Sequence, residues 1–306
     1  MSVQTNTPVI ALVGATATGK TRLAVGLAHA LDGEVVNADS MQFYKGMDIG
    51  TAKAPLAERD GIVHHLLDIY DLSMEASVAE FQRLARDKIR EIRSRAKTPI
   101  LTGGSGLYVR AALDILEFPP TDDDLRERLT SQVNQFGVAH LAAELRAVDP
   151  DAARRLKDDR RIIRAVEVYR LTGRPFSSYM PRRQYDPDMT PVVQIGLRID
   201  RARLHERIEQ RVAAMVETGW VAEVEKLLAA GLADAPTASR AIGYRQMMGY
   251  LAGATTQQAA IDSTIVATRR FARRQETWFK ADPRVHWIDA EDSDLKTQAL
   301  EIIESS

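Results

Sequence analysis

The sequence predicts an α/β protein in which a parallel sheet forms the core and an all-helical domain is inserted into it. Short runs rich in β-branched residues alternate with amphipathic helical patterns early in the chain, which is typical of parallel strands joined by helices. This alternation stops near residue 117 and resumes near residue 191. We therefore expect a core in two parts, 1–116 and 191–306, separated by a helical insertion over 117–190.

The elements of the first part follow from hydrophobic periodicity and from the turn residues between them. In chain order they are a strand over 9–13, a helix over 20–31, a strand over 34–39, a helix over 77–96 and a strand over 99–102. The helix that starts at Ser77 has apolar residues at spacings of three and four. One of its faces is therefore expected to pack on the sheet.

The insertion and the second part are predicted in the same way. Pro119-Pro120-Thr121 starts a segment of helical patterns, and the acidic residues after it suit the first turn of a helix. A turn-rich stretch ends the insertion at Pro191. The elements that follow are a strand over 192–199, a helix capped by Asp200 that ends at Gly219, a helix that ends near Gly231, a basic helix over 256–280, a strand over 285–288 and a terminal helix.

One octapeptide indicates a phosphate-binding loop and makes the predicted core P-loop NTPase-like. Between the first strand and the first helix stand Gly14, Ala15, Thr16, Ala17, Thr18, Gly19, Lys20 and Thr21, which fit the G-x-x-x-x-G-K-[ST] pattern. The glycines let backbone N–H groups approach an anion, Lys20 adds a positive charge and the Thr21 hydroxyl suits Mg²⁺. A chance match in a glycine-containing turn is the alternative, and the flanking strand and helix favour a polyphosphate site.

Composition excludes several classes of protein. The 306 residues carry a formal net charge of −1 and no cysteine, which excludes disulfides, thiolate zinc sites and cysteine nucleophiles. No apolar run approaches the roughly 18 residues needed to span a bilayer, and the N-terminus lacks the pattern of a signal peptide. We expect a cytoplasmic monomer with no membrane contact. His64-His65 is the only histidine cluster, and a structural role is favoured over metal binding because adjacent residues are awkward joint ligands.

The basic residues are unevenly distributed. Ten Lys or Arg and three acidic residues lie between Ala153 and Arg183. A second basic cluster consists of Arg269, Arg270, Arg273, Arg274 and Lys280. Each cluster alone could be a solvated helix face. Two of them in a chain that is acidic elsewhere favour a localised, phosphate-rich partner.

Polar residues follow the predicted strands at the edge that also presents the phosphate loop. Asp39 stands at the end of the second strand, and Gly103-Gly104-Ser105-Gly106 follows the third. A carboxylate at this edge faces the reacting centre, although Asp39 could instead cap a helix or orient Mg²⁺ through water. The glycines suggest close approach of backbone to a ligand with Ser105 as a hydroxyl donor, and a plain turn would explain them equally well.

Longer stretches make the sequence recognisable, because it resembles the bacterial tRNA dimethylallyltransferase family from about Pro8 to Asp289. Besides the phosphate loop, the most specific stretches are the run from Asp39 to Lys53 and the motif Gly243-Tyr244-Arg245-Gln246. Further stretches that carry the resemblance are 64–68, 103–108, 160–168, 172–176, 207–211 and 273–278.

The resemblance implies transfer of a dimethylallyl group from dimethylallyl diphosphate to N6 of the adenine next to the anticodon, position 37, of tRNA. The phosphate loop would then hold a leaving group. Asp39 matches the family's general base, which removes the proton of the amine, and Arg211 matches an arginine that contacts the diphosphate. Lys20 and Mg²⁺ would stabilise the departing diphosphate, with Thr21 as the metal ligand. Ser105 stands at a position that is threonine in some members and keeps the hydroxyl.

The resemblance also implies contacts with the anticodon stem-loop of tRNA, whose target adenine must leave the base stack to react. The positions that match the family's tRNA contacts are Asp39, Ser40, Met41, Gln42, Ser105, Arg126, Arg160, Arg161, Ile162, Ile163, Arg164, Arg240, Gly243, Tyr244, Arg245, Arg273, Arg274, Gln275, Trp278 and Lys280.

Two other functions are compatible with the phosphate loop. A small-molecule kinase of the shikimate or nucleotide type has a similar loop and a similar aspartate at a strand end, and its arginine-rich lid could be the insertion. A nucleotide-gated RNA-binding module would catalyse no transfer. The basic residues reach into the last long helix, which is more surface than a lid over one nucleotide needs. A passive module would leave Asp39 and Arg211 without a role.

Overall fold

The computed structural model describes residues 7–180 and 182–306. The described chain forms two compact units. The larger unit comprises 7–113 together with 185–306, and the smaller comprises 114–184.

A six-stranded parallel sheet forms the centre of the larger unit. Its strands are β1 (Val9–Gly14), β2 (Gly33–Asn37), β3 (His64–His65), β4 (Thr98–Thr102), β5 (Val192–Arg198) and β6 (Val285–Asp289). They lie in the order β3-β2-β4-β1-β5-β6, and every neighbouring pair is parallel. In β1, Ile10 lies opposite Ile100 of β4 and Val193 of β5. All six residues of β1 are buried, as expected for an interior strand of a sheet covered on both faces.

Nine α-helices belong to the described part of the larger unit. They are α1 (Lys20–Ala30), α2 (Leu56–Arg59), α3 (Val78–Ser94), α4 (Gly106–Leu113), α9 (Arg201–Glu217), α10 (Trp220–Ala229), α11 (Tyr244–Leu251), α12 (Gln257–Lys280) and α13 (Leu295–Glu304). The apolar side of α1 packs Leu23 and Leu27 against Leu12 and Ile195 of the sheet. The phosphate loop is thereby fixed between a buried strand and a helix that packs on it.

The smaller unit is entirely helical in its regular structure. It consists of α5 (Asp123–Phe136), α6 (Ala139–Val148), α7 (Pro150–Arg155) and α8 (Asp159–Thr172). Leu129, Leu141, Leu145 and Val166 are fully buried in its own core. Asp122, Asp149 and Asp158 accept backbone N–H groups at the starts of α5, α7 and α8, which satisfies donors that a helix leaves free.

The smaller unit differs at both ends from the segment 117–190 predicted as an insertion. It begins at 114, where the Ile115 N–H donates to the Gln184 carbonyl, and it ends at 184. The residues after 184 pack with the larger unit, because Tyr185 accepts a hydrogen bond from Gln194 at 2.8 Å and Asp186 pairs with Arg86 at 2.5 Å. The pair of Arg86 and Asp186 joins side chains 100 residues apart, a contact that periodicity does not report.

The predicted fold class is confirmed, including the parallel sheet and the helical interruption. Two local details differ. The strand predicted over 34–39 ends at Asn37, because Asp39 caps a 3₁₀ turn over Ser40–Phe43. His64–His65 forms the edge strand β3, which is too short to give a periodic signal. His65 Nε2 lies 2.7 Å from a Glu34 oxygen, and no cluster of three metal-binding side chains occurs among the described residues.

Helices long and apolar enough to cross a bilayer are absent from the described part of the chain.

Candidate active site

The phosphate loop adopts a conformation that its sequence explains residue by residue. Gly14 has φ 135°, and a Cβ there would lie 2.7 Å from the carbonyl oxygen of Leu197. Gly19 has φ 92° at the start of α1, a conformation that side-chain-bearing residues rarely adopt. The Thr18 hydroxyl donates to the Ala15 carbonyl at 2.9 Å, which closes the loop on itself. The loop is therefore shaped by its own backbone requirements.

Lys20 is held inside the curve of this loop. Its Nζ donates to the carbonyl oxygens of Gly14 at 3.1 Å and Ala15 at 2.6 Å. Burial, and next the positive charge of Arg211, lower the pKa of Lys20 from 10.5 to about 7, while Asp39 opposes the shift. An anion bound at the loop would favour the charged form. The site is thus poised to gain both a ligand and a proton.

Asp39 lies at the carboxyl edge of the sheet, two residues beyond the end of β2. Its Oδ1 accepts the Met41 N–H at 3.0 Å, and its own N–H donates to Asn37 Oδ1 at 3.0 Å. The Asn37 amide in turn donates to the carbonyls of Asp39 and Leu66, both at 3.0 Å. Burial raises the pKa of Asp39, whereas the Met41 N–H and Lys20 act in the opposite direction. A carboxylate that is fixed in place and made more basic is suited to accept a proton.

The glycines after β4 are explained by close packing on both sides. A Cβ on Gly103 would lie 2.7 Å from the Cβ of Ala38, and one on Gly104 would lie 2.0 Å from Nε2 of Gln275. Gln275 is buried, and its Oε1 accepts the N–H of Thr16 in the phosphate loop at 2.8 Å. Small residues at 103 and 104 therefore let α12 and β4 close around the loop. Ser105 follows them at the start of α4 and lines the neighbouring cavity.

Arg211 reaches the phosphate loop from α9. Leu204, Ile208 and Val212 are buried on the inner side of this helix, and Arg211 Nη1 lies 3.2 Å from the hydroxyl of Thr16. Burial lowers the pKa of Arg211, although an arginine stays charged throughout the physiological range. Two cations from distant parts of the chain, Lys20 and Arg211, therefore meet at one loop.

Two cavities meet at Asp39. One, of about 360 Å³, is polar and is lined by the phosphate loop, Asn37, Lys53 and Thr102. The other, of about 290 Å³, has a largely apolar wall formed by Ile208, Val212, Met215, Trp220, Ile242 and Phe271. Both are lined by Thr16, Asp39, Thr51, Ala52 and Arg211. An anion in the first cavity and an apolar or aromatic group in the second would therefore be neighbours at the carboxylate.

The donor set around the polar cavity suits Mg²⁺. Thr21, Asn37, Asp39 and Thr102 supply only oxygen donors and one carboxylate. Mg²⁺ is usually held by one or two carboxylates together with phosphate oxygens and water, so a full protein cage is not required. The residues present therefore fit a magnesium ion bound together with a phosphate ligand.

The exposed residues among the predicted tRNA contacts fall on both units. They are Arg160, Arg161, Arg240, Arg245, Arg273, Arg274, Trp278 and Lys280. In the larger unit, a groove of about 420 Å³ lies along α9 and α12, where its cations are Arg201, Arg269, Arg270, Arg273 and Lys280. Arg274 belongs to the same basic cluster of α12 but does not line this groove. It lies over the ring of Phe271, which lines the apolar cavity. Ser40, Met41 and Gln42 are partly buried beside Asp39.

Other predicted tRNA contacts lie in the interior. Ile162 and Ile163 belong to the core of the smaller unit, Gly243 and Tyr244 are buried in the larger one, and Gln275 supports the phosphate loop. Tyr244 nevertheless lines the apolar cavity and Gln275 the polar one, and contact of these five residues with tRNA stays a prediction.

Arg126 and Arg164 are engaged by a buried carboxylate. Glu167 is fully buried and accepts from Arg126 at 3.0 and 3.1 Å, and Arg164 lies 2.9 Å from it. Arg164 also donates to the carbonyls of Pro119 and Pro120. Removing a partner from a buried charge is costly, so these two arginines have a structural function that the charge count did not suggest.

Sequence reasoning missed Glu223 on α10. Its carboxylate accepts backbone N–H groups from 48–50, a segment about 175 residues away in the chain. A glutamate on an amphipathic helix carries no signal of such a contact.

The fold and the site define a P-loop enzyme of the α/β class with a second, apolar cavity beside its phosphate loop. Comparison with known proteins narrows this class. A family model described as IPP transferase matches residues 42–282. A tRNA dimethylallyltransferase of Pseudarthrobacter chlorophenolicus is 61% identical over 95% of this chain and 97% of its own length. One from Streptomyces coelicolor is 52% identical over 97% and 96%, respectively.

Solved structures agree with these relatives. A tRNA isopentenylpyrophosphate transferase of Bacillus halodurans is 43% identical, with a TM-score of 0.71 over 97% of this chain and 95% of that one. A eukaryotic dimethylallyltransferase acting on tRNA is 27% identical, with a TM-score of 0.80 over 97% of this chain and 78% of that one. The chain belongs to the IPP transferase family, which confirms the resemblance found in the sequence.

Proposed function

We propose that this protein transfers a dimethylallyl group from dimethylallyl diphosphate to N6 of adenine 37, beside the anticodon of tRNA. The observation that carries the proposal is the meeting of a polar cavity at the phosphate loop with an apolar cavity, with Asp39 on both. A diphosphate suits the first, and a five-carbon chain together with a purine suits the second. The relatives named above are tRNA dimethylallyltransferases, and they give no support to a small-molecule kinase.

One bond breaks and one bond forms at the allylic carbon during the reaction. The carbon–oxygen bond to the diphosphate breaks, the carbon–nitrogen bond to N6 forms, and the amine loses a proton. That proton goes to Asp39, whose raised pKa makes it a better base than an exposed aspartate. The Met41 N–H holds the carboxylate, and the Asn37 amide holds the backbone of Asp39, while the proton moves. Asp39 is thus the base that accepts the proton from N6.

Negative charge develops on the diphosphate oxygen as it departs. Lys20 and Arg211 lie at the loop that would hold it, and the loop N–H groups add further donors. Mg²⁺ bound at Thr21 would neutralise part of this charge. Lys20 and Arg211 are already held at the loop by Ala15 and Thr16, and Gln275 fixes the backbone at Thr16.

The RNA is the second substrate, and its recognition is assigned to exposed cations. The groove along α9 and α12 offers Arg270 and Arg273 to a phosphate backbone, and Arg160 and Arg161 are exposed on the smaller unit. Replacing Arg270 and Arg273 by glutamate should weaken tRNA binding and reduce the slope of log K against log salt by about one per lost contact. Donor affinity should stay unchanged. An unaltered salt slope would show that the groove is a solvated surface.

Identification of the reaction product tests the proposal. An anticodon stem-loop is incubated with the protein, Mg²⁺ and dimethylallyl diphosphate, and its nucleosides are analysed by mass spectrometry. We expect one adenosine heavier by a five-carbon unit and free diphosphate, and no reaction when that adenine is replaced by guanine. With ATP in place of the donor, no phosphorylated product is expected. ATP-dependent phosphorylation of a small acceptor with no alkylated adenosine would establish the kinase instead.

A further inference from the structure

One carboxylate outside both cavities gathers four hydrogen-bond donors. Glu223 Oε2 accepts the N–H groups of Asp48 at 2.9 Å and Ile49 at 2.7 Å. Glu223 Oε1 accepts the N–H of Gly50 at 3.1 Å and the hydroxyl of Tyr244 at 2.6 Å. Every partner is a donor, so only a side chain that accepts through both oxygens satisfies them all. The segment 48–50 is thereby tied to α10.

Close packing fixes the same segment from a second direction. A Cβ on Gly50 would lie 2.3 Å from Nε1 of Trp220 and 2.6 Å from the ring of Tyr244. Trp220 and Tyr244 are fully buried and pack edge to face with ring centroids 6.1 Å apart. The backbone at 50 therefore sits directly on the two rings, and neither a larger residue nor a shifted loop fits there.

The segment leads from Glu223 to the turn that holds Asp39. The carbonyls of Thr51 and Ala52 accept from Gln42 Nε2 at 3.1 and 3.4 Å. Gln42 lies on the 3₁₀ turn whose N-cap is Asp39. Thr51 and Ala52 also line both cavities beside Asp39, whereas Glu223 lines neither. A displacement of 48–50 would therefore shift the carbonyls of Thr51 and Ala52 and, with them, the turn that Asp39 caps.

We propose that Glu223 is a positioning residue for the acceptor adenine, which it serves by holding 48–52 so that the wall of the apolar cavity beside Asp39 keeps its place. The inference rests on the proposed function, and it concerns the acceptor because Gly50 and Tyr244, which donate to Glu223, line the apolar cavity and not the polar one. Lys20, Arg211 and the loop N–H groups that face the diphosphate make no contact with Glu223. Loss of Glu223 therefore changes the alignment of the amine with Asp39 and leaves donor capture intact. Misplacement by about 1 Å can lower a rate by about 100-fold.

The test is Glu223→Gln, which keeps the size of the side chain but turns an NH₂ group toward donors. We expect the single-turnover rate at saturating tRNA and donor to fall at least about tenfold. The affinity for dimethylallyl diphosphate, measured without tRNA, should stay within about threefold, and the acidic limb of the pH profile should keep its midpoint. Glu223→Asp, which retains both acceptor oxygens, should recover part of the rate. Glu225→Gln, an exposed residue on the same helix, is the matched control and should match the unmodified protein.

A double-mutant cycle with Gln42→Ala separates positioning from a general loss of stability. Because Glu223 and Gln42 hold the same segment, 48–52, the double variant should be no slower than about the slower single variant. Multiplicative effects of the two changes would overturn the proposal, as would an unchanged rate in Glu223→Gln or an equal loss of donor affinity. If Glu223→Gln does not fold, the same cycle is run with Glu223→Asp and judged by the same outcomes. Absence of prenyl transfer by the unmodified protein would instead refute the proposed function, so the two failures are distinguishable.

Discussion

The affinity for diphosphate should fall steeply with pH above neutrality, because of the environment of Lys20. Burial and Arg211 lower the pKa of this lysine to about 7. Diphosphate binds the ammonium form, which alone carries a charge and three donors. The bound anion raises the lysine pKa in the complex, so binding takes up a proton wherever the free lysine is neutral. Affinity is therefore highest below the pKa of the free protein and is lost as the pH rises above it.

The size of the effect follows from the fraction of free protein that carries the ammonium. With a pKa of about 7, this fraction is about one half at pH 7 and about one hundredth at pH 9. The apparent dissociation constant should then increase about 50-fold between these two values, as long as the lysine remains protonated in the complex. An ordinary lysine, with a pKa of about 10.4, would leave the constant nearly unchanged over the same interval.

Isothermal titration calorimetry of the protein with dimethylallyl diphosphate, in the presence of Mg²⁺ and without tRNA, measures this pH dependence of the affinity directly. The interval from pH 7 to pH 9 lies above the second phosphate pKa of about 6, so the ionisation of the donor contributes little. Titration in buffers of different ionisation enthalpy should show uptake of close to one proton at pH 9. Lys20→Arg keeps its charge throughout and should give a flat profile, even if its affinity is lower. A flat profile in the unmodified protein would refute the assignment of a lowered pKa to Lys20.

Three further changes test the base, the packing and the stability of the core. Asp39→Asn should lower the single-turnover rate by about 100-fold or more while tRNA and donor affinities stay within several-fold. A near-normal rate would show that Asp39 is not the general base. Gly104→Ala places a methyl group 2.0 Å from Gln275 Nε2, so urea denaturation should show a loss of about 1–3 kcal/mol, whereas Gly249→Ala, with nothing within 4 Å, should be neutral or stabilising. Glu34→Gln removes a buried carboxylate whose pKa is lowered from 4.5 to about 2, first by its hydrogen bond to Arg95. Because the folded pKa lies below the unfolded one, Glu34 stabilises the fold above pH 4.5, and this stabilisation is lost as the pH falls toward 2. Allowing for partial exposure of Arg95, the variant should lose about 2 kcal/mol at pH 7 and little at pH 2, and an equal loss at both values would exclude the ion pair as the cause.

The sequence alone determined the class of fold and the position of the phosphate site. Strand, glycine-rich loop and helix are contiguous in the chain, and their signals are local backbone preferences and short-range periodicity. Asp39 could be placed at the same edge because the carboxyl ends of parallel strands must share an edge. The cap at Asp200 was likewise readable, because a helix start needs a side-chain acceptor next to it in the sequence.

Which charged residues face solvent was decided only by the tertiary structure. Arg160, Arg161 and Arg164 are equal in the sequence, yet Arg164 turns to the buried Glu167 while the other two are exposed. On α12, Gln275 supports the phosphate loop, whereas Arg273 and Glu276, within two residues of it, line a basic groove. A count of charges along the chain cannot separate the exposed residues from the buried ones, because burial depends on which neighbour each helix face contacts.

The tertiary structure also supplied the contacts that complete the site. Arg211 meets Thr16 across 195 residues, and Glu223 meets Gly50 across 173. The two-residue strand at His64–His65 exists because β2 offers it an unpaired edge, not because of any pattern of its own. Local propensity fixes what a segment can become, whereas contacts between distant segments depend on the packing of the whole chain. The phosphate loop could therefore be recognised before the fold was known, and the carboxylate of Glu223 only after it.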